Sequence, residues 1–330
     1  MRLCNTTRKP GSRIRYYLLP ALLLLTVSLP ATAARCLLVM SYHQGYAWND
    51  GVERGVRNVI GEQCELRVFY MDTKRNKDAD FARQKALEAK AIIETWKPDV
   101  VIATDDNASR YLVQPWYRDA DTPFVFAAVN WTAKKYGYPY RNVTGMIEVA
   151  PIIPMLRTVS HVLPIHRHAL YLGADTFTEQ KNYQRFKDIY GQQGIQVDAL
   201  FASTLAQWQQ HYLKGQDYDF IILGSNAGIN DWNAAEAARF ALENAKVLTV
   251  SNHHWMSPYA MYSITKIPEE QGEWAAEIAL AITRGMDPAR IPIVPNRKWK
   301  IYINEGLARR AGISLPHHGG EVIINPVKEN

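Results

Sequence analysis

The feature that most constrains this fold is a repeated alternation of short apolar runs and longer amphipathic stretches. The first run, CLLVMS at 36–41, is almost continuously apolar, which is typical of a strand in a parallel sheet covered on both faces. Stretches with apolar residues every three to four positions predict the helices. The first series runs in chain order as strand 36–41, helix 48–60, strand 65–71, helix 78–95, strand 99–103 and strand 124–129.

The same alternation restarts after residue 141. The second series predicts helices at 152–162, at 179–192, from 205 onward and at 234–243, and strands at 169–172, 196–201, 220–223 and 247–250. Two successive series of this kind predict an α/β fold with two doubly wound parallel-sheet lobes. The length agrees, because about 300 residues exceed what one hydrophobic core usually holds.

A closing stretch returns to both lobes. It predicts a strand at 262–266, a helix at 269–284, extended chain at 292–304 and a last helix at 305–312. Two independent domains in tandem would not need this return, whereas lobes joined by three crossings do. We expect lobe 1 at 35–143 plus 260–290, lobe 2 at 144–258 plus 291–316, and crossings near Asn142, Met256 and Pro292.

The first 34 residues predict a cleaved secretory signal. Five basic residues and no acidic one precede or adjoin an apolar run at 18–29, which Pro20 interrupts and which is shorter than the ~20 residues of a membrane helix. Small residues at 31–33 complete the cleavage pattern, so we expect a periplasmic location; the alternative is an uncleaved amino-terminal anchor. A polar tail is predicted at 317–330.

The net charge does not indicate a nucleic-acid partner. The chain has 38 basic and 32 acidic residues, and removal of residues 1–34 leaves 33 basic residues and a net charge of +1. No basic stripe with interleaved aromatic residues remains, so we expect no nucleic-acid binding.

Two cysteines remain after the signal is removed. Cys36 and Cys64 lie at the amino ends of the first two predicted strands, which are neighbours in a 2-1-3-4-5 strand order. Neighbouring strands bring Cα atoms within disulfide range when their registers agree. We predict a disulfide, with two buried free thiols as the alternative.

Polar and aromatic residues follow nearly all of the predicted strands. Ligands of doubly wound sheets bind beyond the carboxyl ends of the strands, and a cleft of this composition suits a polar ligand with a flat or apolar part. Helix N-caps prefer the same residue types, so each position alone also has a structural interpretation. The predicted ligand-binding residues are Tyr42, Asp105, Asn130 and Trp131 from the first series and Asp175, Ser225 and Asn252 from the second.

The residue patterns of enzymes are missing from these strand ends. SYHQGYAW, not a glycine-rich phosphate loop, follows the first strand, and there is no Gly-x-Ser-x-Gly elbow. The adjacent His253 and His254 point to opposite faces of a strand and do not chelate one metal. Asp105 and Asp106 suit a cation or an ammonium group, or they form a solvated turn that caps the next helix. We predict no catalytic residue, no metal ligand and no cofactor.

Four segments in register resemble a known family. They are TPFVFAAVN (122–130), NVTG (142–145), GEWAAEIALAITRGMDPARIPI (272–293) and IYINEGLARRAGISLP (301–316). These resemble the ABC-transporter substrate-binding family that includes tryptophan- and tyrosine-binding members, over about residues 36–316. The resemblance implies a type I periplasmic-binding fold and a cleft at the strand ends named above.

Two departures from that family matter for function. Asn130-Trp131-Thr132 stands where the family often has Asp-Pro-Val, so the ligand is not carried over from the aromatic amino acid binders. SYHQGYAWNDGVERGV (41–56) is more similar to variants that serve as sensor domains of membrane histidine kinases. We expect a monomeric solute-binding protein that is not an enzyme and that works with an ABC permease, or alternatively with a sensor kinase.

Overall fold

A computed structural model describes Met1, residues 33–316 and the strand Val322–Ile323. The predicted signal segment, apart from residues 1, 33 and 34, lies outside the described residues, as does the predicted tail at 317–330 apart from that strand. In the part of the chain that the structure describes, no helix is long and apolar enough to span a bilayer.

Strands and helices alternate along the chain as the apolar pattern predicts. The described strands are β1 (Ala34–Met40), β2 (Cys64–Tyr70), β3 (Val100–Thr104), β4 (Phe124–Asn130), β5 (Val143–Glu148), β6 (His168–Ala174), β7 (Gln196–Ala202), β8 (Phe220–Leu223), β9 (Leu248–Ser251), β10 (Tyr262–Lys266), β11 (Val294–Pro295), β12 (Trp299–Ile303) and β13 (Val322–Ile323). The described α-helices are α1 (Ala47–Ile60), α2 (Ala79–Trp96), α3 (Asp105–Ala108), α4 (Gln114–Trp116), α5 (Ile152–Val162), α6 (Phe177–Gly191), α7 (Leu205–Gly215), α8 (Ala234–Asn244), α9 (Pro268–Thr283) and α10 (Glu305–Ala311).

Six of the described strands form the first sheet, in the order β2-β1-β3-β4-β5-β11. The strands pair in parallel, with Cys36 opposite Val100 and Phe124 opposite Val143. Both faces of this sheet are covered by hydrophobic clusters, and residues 37–40 of β1 are fully buried. Burial on two faces explains why β1 is apolar without alternation.

Seven of the described strands form the second sheet, in the order β13-β12-β10-β9-β8-β6-β7. The sheet is parallel from β7 to β10, and β12 is antiparallel to β10. Both sheets therefore contain the doubly wound 2-1-3-4-5 order, and the predicted two-lobe α/β class is confirmed.

Helix α9 packs on α1 with unusually close backbones. A Cβ atom added to Gly272 of α9 would lie 1.9 Å from the carbonyl oxygen of Val52, and one added to Gly55 of α1 would lie 2.2 Å from that of Glu269. Glycine at these two positions lets the helices approach, which fixes α9 on the first sheet although the preceding strand belongs to the second.

Cys36 and Cys64 are joined by a disulfide, with their Cα atoms 5.9 Å apart. Cys64 lies opposite Ala34 and Cys36 lies opposite Leu66, so the bond crosses diagonally between β1 and β2. Both side chains are buried in the cluster between the first sheet and α1.

The chain crosses between the two sheets three times, and these crossings lie at other positions than the expected lobe bounds required. They lie at 149–151, at Ile267 and at 296–298, later in each case than the expected positions near Asn142, Met256 and Pro292. The segment 143–148 stays in the first sheet because β5 pairs with β4. The segment 262–266 stays in the second because β10 pairs with β9, and 294–295 belongs to the first because β11 pairs with β5.

Candidate functional site

The carboxyl edge of the first sheet gathers three of the predicted residues. Tyr42, Asp105 and Asn130 follow or end β1, β3 and β4, which are neighbours in that sheet. The side-chain Nδ2 of Asn130 donates to Asp106 Oδ2 at 2.8 Å, and Asp105 and Asp106 both act electrostatically on Tyr42. The strand-end rule thus brings these three positions together.

Asp105 is the most unusual group at this edge. Only 2 % of its surface is exposed, its φ is +64°, and its Oδ2 has no hydrogen-bond partner among the described residues. Burial, followed by the charges of Glu148 and Asp106, raises the pKa of the Asp105 carboxyl well above its usual value. A buried carboxylate oxygen without a partner is costly, and a strained backbone is typical of functional sites.

The other two carboxylates at this edge are each neutralised by a lysine. Asp106 forms an ion pair with Lys135 at 2.7 Å and accepts a hydrogen bond from the hydroxyl of Tyr136 at 2.7 Å. Glu148, buried at the end of β5, forms an ion pair with Lys266 at the end of β10. This second pair joins the carboxyl ends of the two sheets beside two of the crossings.

Aromatic rings and one further cation lie beside Asp105. The rings of Tyr42 and Tyr46 meet edge to face at 5.5 Å, and the ammonium of Lys74 lies 5.1 Å and 4.9 Å from their centroids. Burial, followed by the charge of Asp105, raises the pKa of the Tyr42 hydroxyl well above its usual range, so Tyr42 is a neutral hydrogen-bond donor.

The second sheet contributes Asn252 and His253 after β9. Asn252 is buried and its Oδ1 has no partner among the described residues; the same holds for Nε2 of His253. Burial, followed by Lys266 and His254, lowers the pKa of His253 to about 3, so the imidazole is neutral. Because Lys266 acts on His253 and pairs with Glu148, it connects His253 with Glu148 of the first sheet.

Two predicted residues of the second sheet have local structural partners. Ser225 donates its backbone N–H to Glu179 Oε2 at 2.8 Å, and its hydroxyl oxygen accepts from the N–H of Ala227 at 3.0 Å. Asp175 is exposed and accepts from the amide of Gln180 at 3.3 Å. No contact between described residues connects either side chain with Asp105.

Trp131 packs between the two lobes and does not line an open surface of the cleft. Its backbone N–H donates to the carbonyl of Glu148 at 2.9 Å, and its ring packs against the core of the second sheet, with the guanidinium of Arg185 4.3 Å from its centroid. Trp48 lies beside the Glu148–Lys266 pair, with the ammonium of Lys266 5.1 Å from its ring. Its indole Nε1 is buried without a partner in the described part of the chain.

Sequence reasoning missed Glu148 and Lys266. Lys266 ends a strand that was predicted with these bounds, so the carboxyl-end rule applied to that strand would have found it. Glu148 ends a strand whose sequence, VTGMIE, has a threonine and a glycine among its apolar residues and was not recognised. Gly145 is needed there because a Cβ would lie 2.3 Å from the carbonyl oxygen of Phe126.

The described residues contain no group of three or more acidic, histidine or cysteine side chains that would hold a metal ion. A separate depression of about 640 Å³ lies between the end of α6 and the amino end of β7. It is on the opposite edge of the second sheet from Asn252 and contains none of the predicted site residues.

The chain resembles solved proteins in fold more than in sequence. No protein-family model matches it, and no curated protein is significantly similar in sequence. The ligand-free, open structure of CD0873 from Clostridium difficile, a substrate-binding protein with adhesive properties, has a TM-score of 0.69 at 14% identity over 89% of this chain and 99% of that chain.

Two other structures show how widely this fold is used. An ABC domain from Streptococcus pneumonia in complex with L-Trp has a TM-score of 0.56 at 15% identity, over 89% of this chain and 100% of that one. A LacI transcriptional regulator from Lactobacillus brevis has a TM-score of 0.52 at 13% identity, over 79% of this chain and 96% of that one. Together with the strand order and the three crossings, these similarities show that the chain has the type I periplasmic-binding fold.

Proposed function

We propose that the protein binds a small solute between the carboxyl edges of its two sheets. The observation that carries this proposal is a pair of buried oxygen atoms without partners in the described residues, Asp105 Oδ2 on the first sheet and Asn252 Oδ1 on the second. Native proteins rarely leave such atoms unsatisfied, because each costs about 1–3 kcal/mol. A solute that donates hydrogen bonds to both removes that cost.

The proposed site consists of the predicted strand-end residues together with the lysine pair at the crossings. Tyr42, Asp105, Asn130 and Asn252 bind the solute, and Trp48 supplies an apolar surface. Lys266 and Glu148 hold the two edges together. Ser225, Asp175 and Trp131 stay in the proposal as residues that shape the cleft, because their own contacts are local or between the lobes.

We propose that the protein acts in the periplasm after export by its amino-terminal signal. The Cys36–Cys64 disulfide supports this location, because structural disulfides persist in oxidising compartments. The solved substrate-binding proteins that share the fold support delivery of the solute to an ABC permease. We propose that the protein acts there as a monomer. Reporting to a membrane sensor kinase is the second candidate, favoured by the resemblance of residues 41–56 to sensor domains.

A thermal-shift screen of the purified protein against a metabolite library tests the binding function. A ligand that binds only the folded state raises the midpoint temperature of unfolding. At a ligand concentration of about 100 times Kd, the free energy of unfolding increases by about 2.7 kcal/mol. At least one small molecule should do so, and Asn252→Ala should weaken its binding by about 5- to 150-fold, or 1–3 kcal/mol. A library without any stabilising compound would contradict the proposal.

A further inference from the structure

We propose that the solute carries a protonated nitrogen, such as an ammonium or guanidinium group, which binds the carboxylate of Asp105. This inference rests on the proposed binding function and names the class of ligand. It also gives Asp105, the least satisfied charged group of the site, a specific partner.

The first argument is the balance of charge at the first-sheet edge. Asp106 has Lys135 at 2.7 Å and Glu148 has Lys266, but none of the ion pairs between described residues includes Asp105. Lys74 is the cation that acts on Asp105, and its ammonium lies over the rings of Tyr42 and Tyr46. Asp105 therefore has no ion-pair partner of its own among the described residues, and a ligand cation would supply one through charge-assisted hydrogen bonds, which are the strong ones.

The second argument is the chemistry of the surroundings. The rings of Tyr42 and Tyr46 already hold one ammonium, so the walls next to Asp105 favour cations through their π faces. Asn252 Oδ1, without a partner in the described residues, is a further acceptor on the second sheet. A ligand that presents several N–H donors matches acceptors on both edges.

Other ligand classes fit less well. An anionic group would face the three carboxylates Asp105, Asp106 and Glu148, of which two have lysines of their own. A metal ion needs several converging ligands, and the described part of the chain holds no such group of three. A neutral sugar would donate hydroxyl hydrogen bonds to Asp105 but would leave it without an ion-pair partner.

Binding of a cation also changes the protonation of the Asp105 carboxyl. The groups that face Asp105 are Glu148 on β5, Asp106 on α3, Tyr42 after β1, Lys74 after β2 and Thr104 on β3; burial and the two acids raise its pKa, while Thr104 and Lys74 lower it. A ligand cation stabilises the ionised form, so binding releases a proton from the fraction of Asp105 that is protonated. Below the raised pKa, affinity should fall about tenfold for each unit of pH.

The test uses matched probes in calorimetric titrations and thermal shifts. The probes that carry an ammonium group are the twenty amino acids, phenethylamine and tryptamine, and agmatine adds a guanidinium; the controls are the N-acetylated forms of the amino acids, of phenethylamine and of tryptamine, in which the acetylated amine is uncharged. Ribose, glucose, succinate, Ca²⁺ and Mg²⁺ complete the panel. We expect binding by one or more cationic probes, loss of binding on N-acetylation, and a binding heat that depends on the ionisation enthalpy of the buffer.

The decisive variant is Asp105→Asn, which keeps the shape and removes the charge. Asparagine tolerates the left-handed backbone at this position, so the fold should be retained. The matched control is Asp119→Asn, because Asp119 has a similar φ of +55° but is exposed and accepts from Arg141 N–H, away from the site. Asp105→Asn should weaken binding of the cationic probe at least tenfold, and Asp119→Asn should leave it unchanged.

The outcomes separate this inference from the proposed function. A sugar, a dicarboxylate, an N-acetylated probe or a metal ion that binds Asp105→Asn as tightly as the wild type would overturn the cation proposal and the contact with Asp105, and would leave solute binding itself intact. A panel and library in which no compound binds the folded wild type would overturn both.

Discussion

Asp105 connects stability with binding at the scale of a single residue. Its burial, its left-handed backbone and its oxygen without a partner in the described chain all cost folding free energy. The adjacent Asp106, by contrast, is satisfied by Lys135, Tyr136 and Asn130. Two neighbouring carboxylates thus differ sharply in environment, and the unsatisfied one is the better candidate for ligand contact.

The raised pKa of Asp105 predicts a pH-dependent gain in stability on its replacement. A carboxyl whose pKa is higher in the folded than in the unfolded state contributes stability at low pH, and this contribution is lost as the pH rises through the folded pKa. Asp105→Asn has no ionisable group at this position, so the variant does not lose this stability as the pH rises. We expect the variant without ligand to be more stable than the wild type by about 1–3 kcal/mol at about pH 8, with a smaller difference towards about pH 5.

Urea unfolding at several pH values measures this difference. Glu179 also has a raised pKa through burial, but it is present in both proteins and its contribution cancels. A variant less stable than the wild type across the whole pH range would mean that the Asp105 carboxylate is satisfied in the folded protein.

At the scale of elements, the close contact between α1 and α9 holds the returning chain on the first sheet. Gly272→Ala places a methyl group against the carbonyl of Val52, so we expect destabilisation by about 1–3 kcal/mol or more. Gly191→Ala is the matched control, because Gly191 ends α6 with nothing within 4 Å of an added Cβ. The control should be neutral or up to about 1 kcal/mol more stable, as measured by urea unfolding. Equal effects of the two substitutions would contradict the close packing.

The disulfide between β1 and β2 makes a second prediction about elements. It closes a loop with a sequence separation of 28, which corresponds to about 3–4 kcal/mol in the chain-entropy model. Cys36→Ala with Cys64→Ala should lose about that amount, and the reducing agent that lowers the stability of the wild type should not affect the double variant. Identical denaturation curves for the oxidised and reduced wild type would show that the bond does not stabilise the fold.

Most elements could be predicted from the sequence because their signals are local. The predicted bounds of α5 and β10 agree with the structure, and the N-caps of α2 and α6 are Asp78 and Thr176. Strand β5 was missed because a threonine and a glycine interrupt its apolar run. The crossings were placed too early because sheet membership depends on pairing between distant segments, which no local pattern encodes.

The site could be predicted only in part, for the same reason. The strand-end rule placed Asp105, Asn130 and Asn252 at the carboxyl edges of the two sheets, because a parallel sheet aligns the carboxyl ends of its strands at one edge. That they bind the solute stays a prediction. The rule did not show that Glu179, a helix residue, holds the backbone of Ser225. Whether a polar residue is satisfied depends on partners that fold next to it, and that is a tertiary property.

For the whole molecule, the Glu148–Lys266 pair and the Trp131–Arg185 contact join the two lobes within one compact unit. Ligand-driven closure requires contacts with both lobes that are stronger in the closed state. We propose that Asp105 and Asn252 provide those contacts, one from each sheet. The central claim is that a single solute touches both.

Calorimetric titration of four proteins with the best ligand from the screen tests that claim most directly: the wild type, Asp105→Asn, Asn252→Ala and the double variant. Each single substitution should lower affinity by about 5- to 150-fold, because Asp105→Asn removes the charge and one acceptor oxygen and Asn252→Ala removes a hydrogen-bond acceptor from a buried ligand group. In the double variant the combined loss should exceed either single loss. If either folded single variant binds the ligand as tightly as the wild type, the solute does not bridge the two sheets at this site.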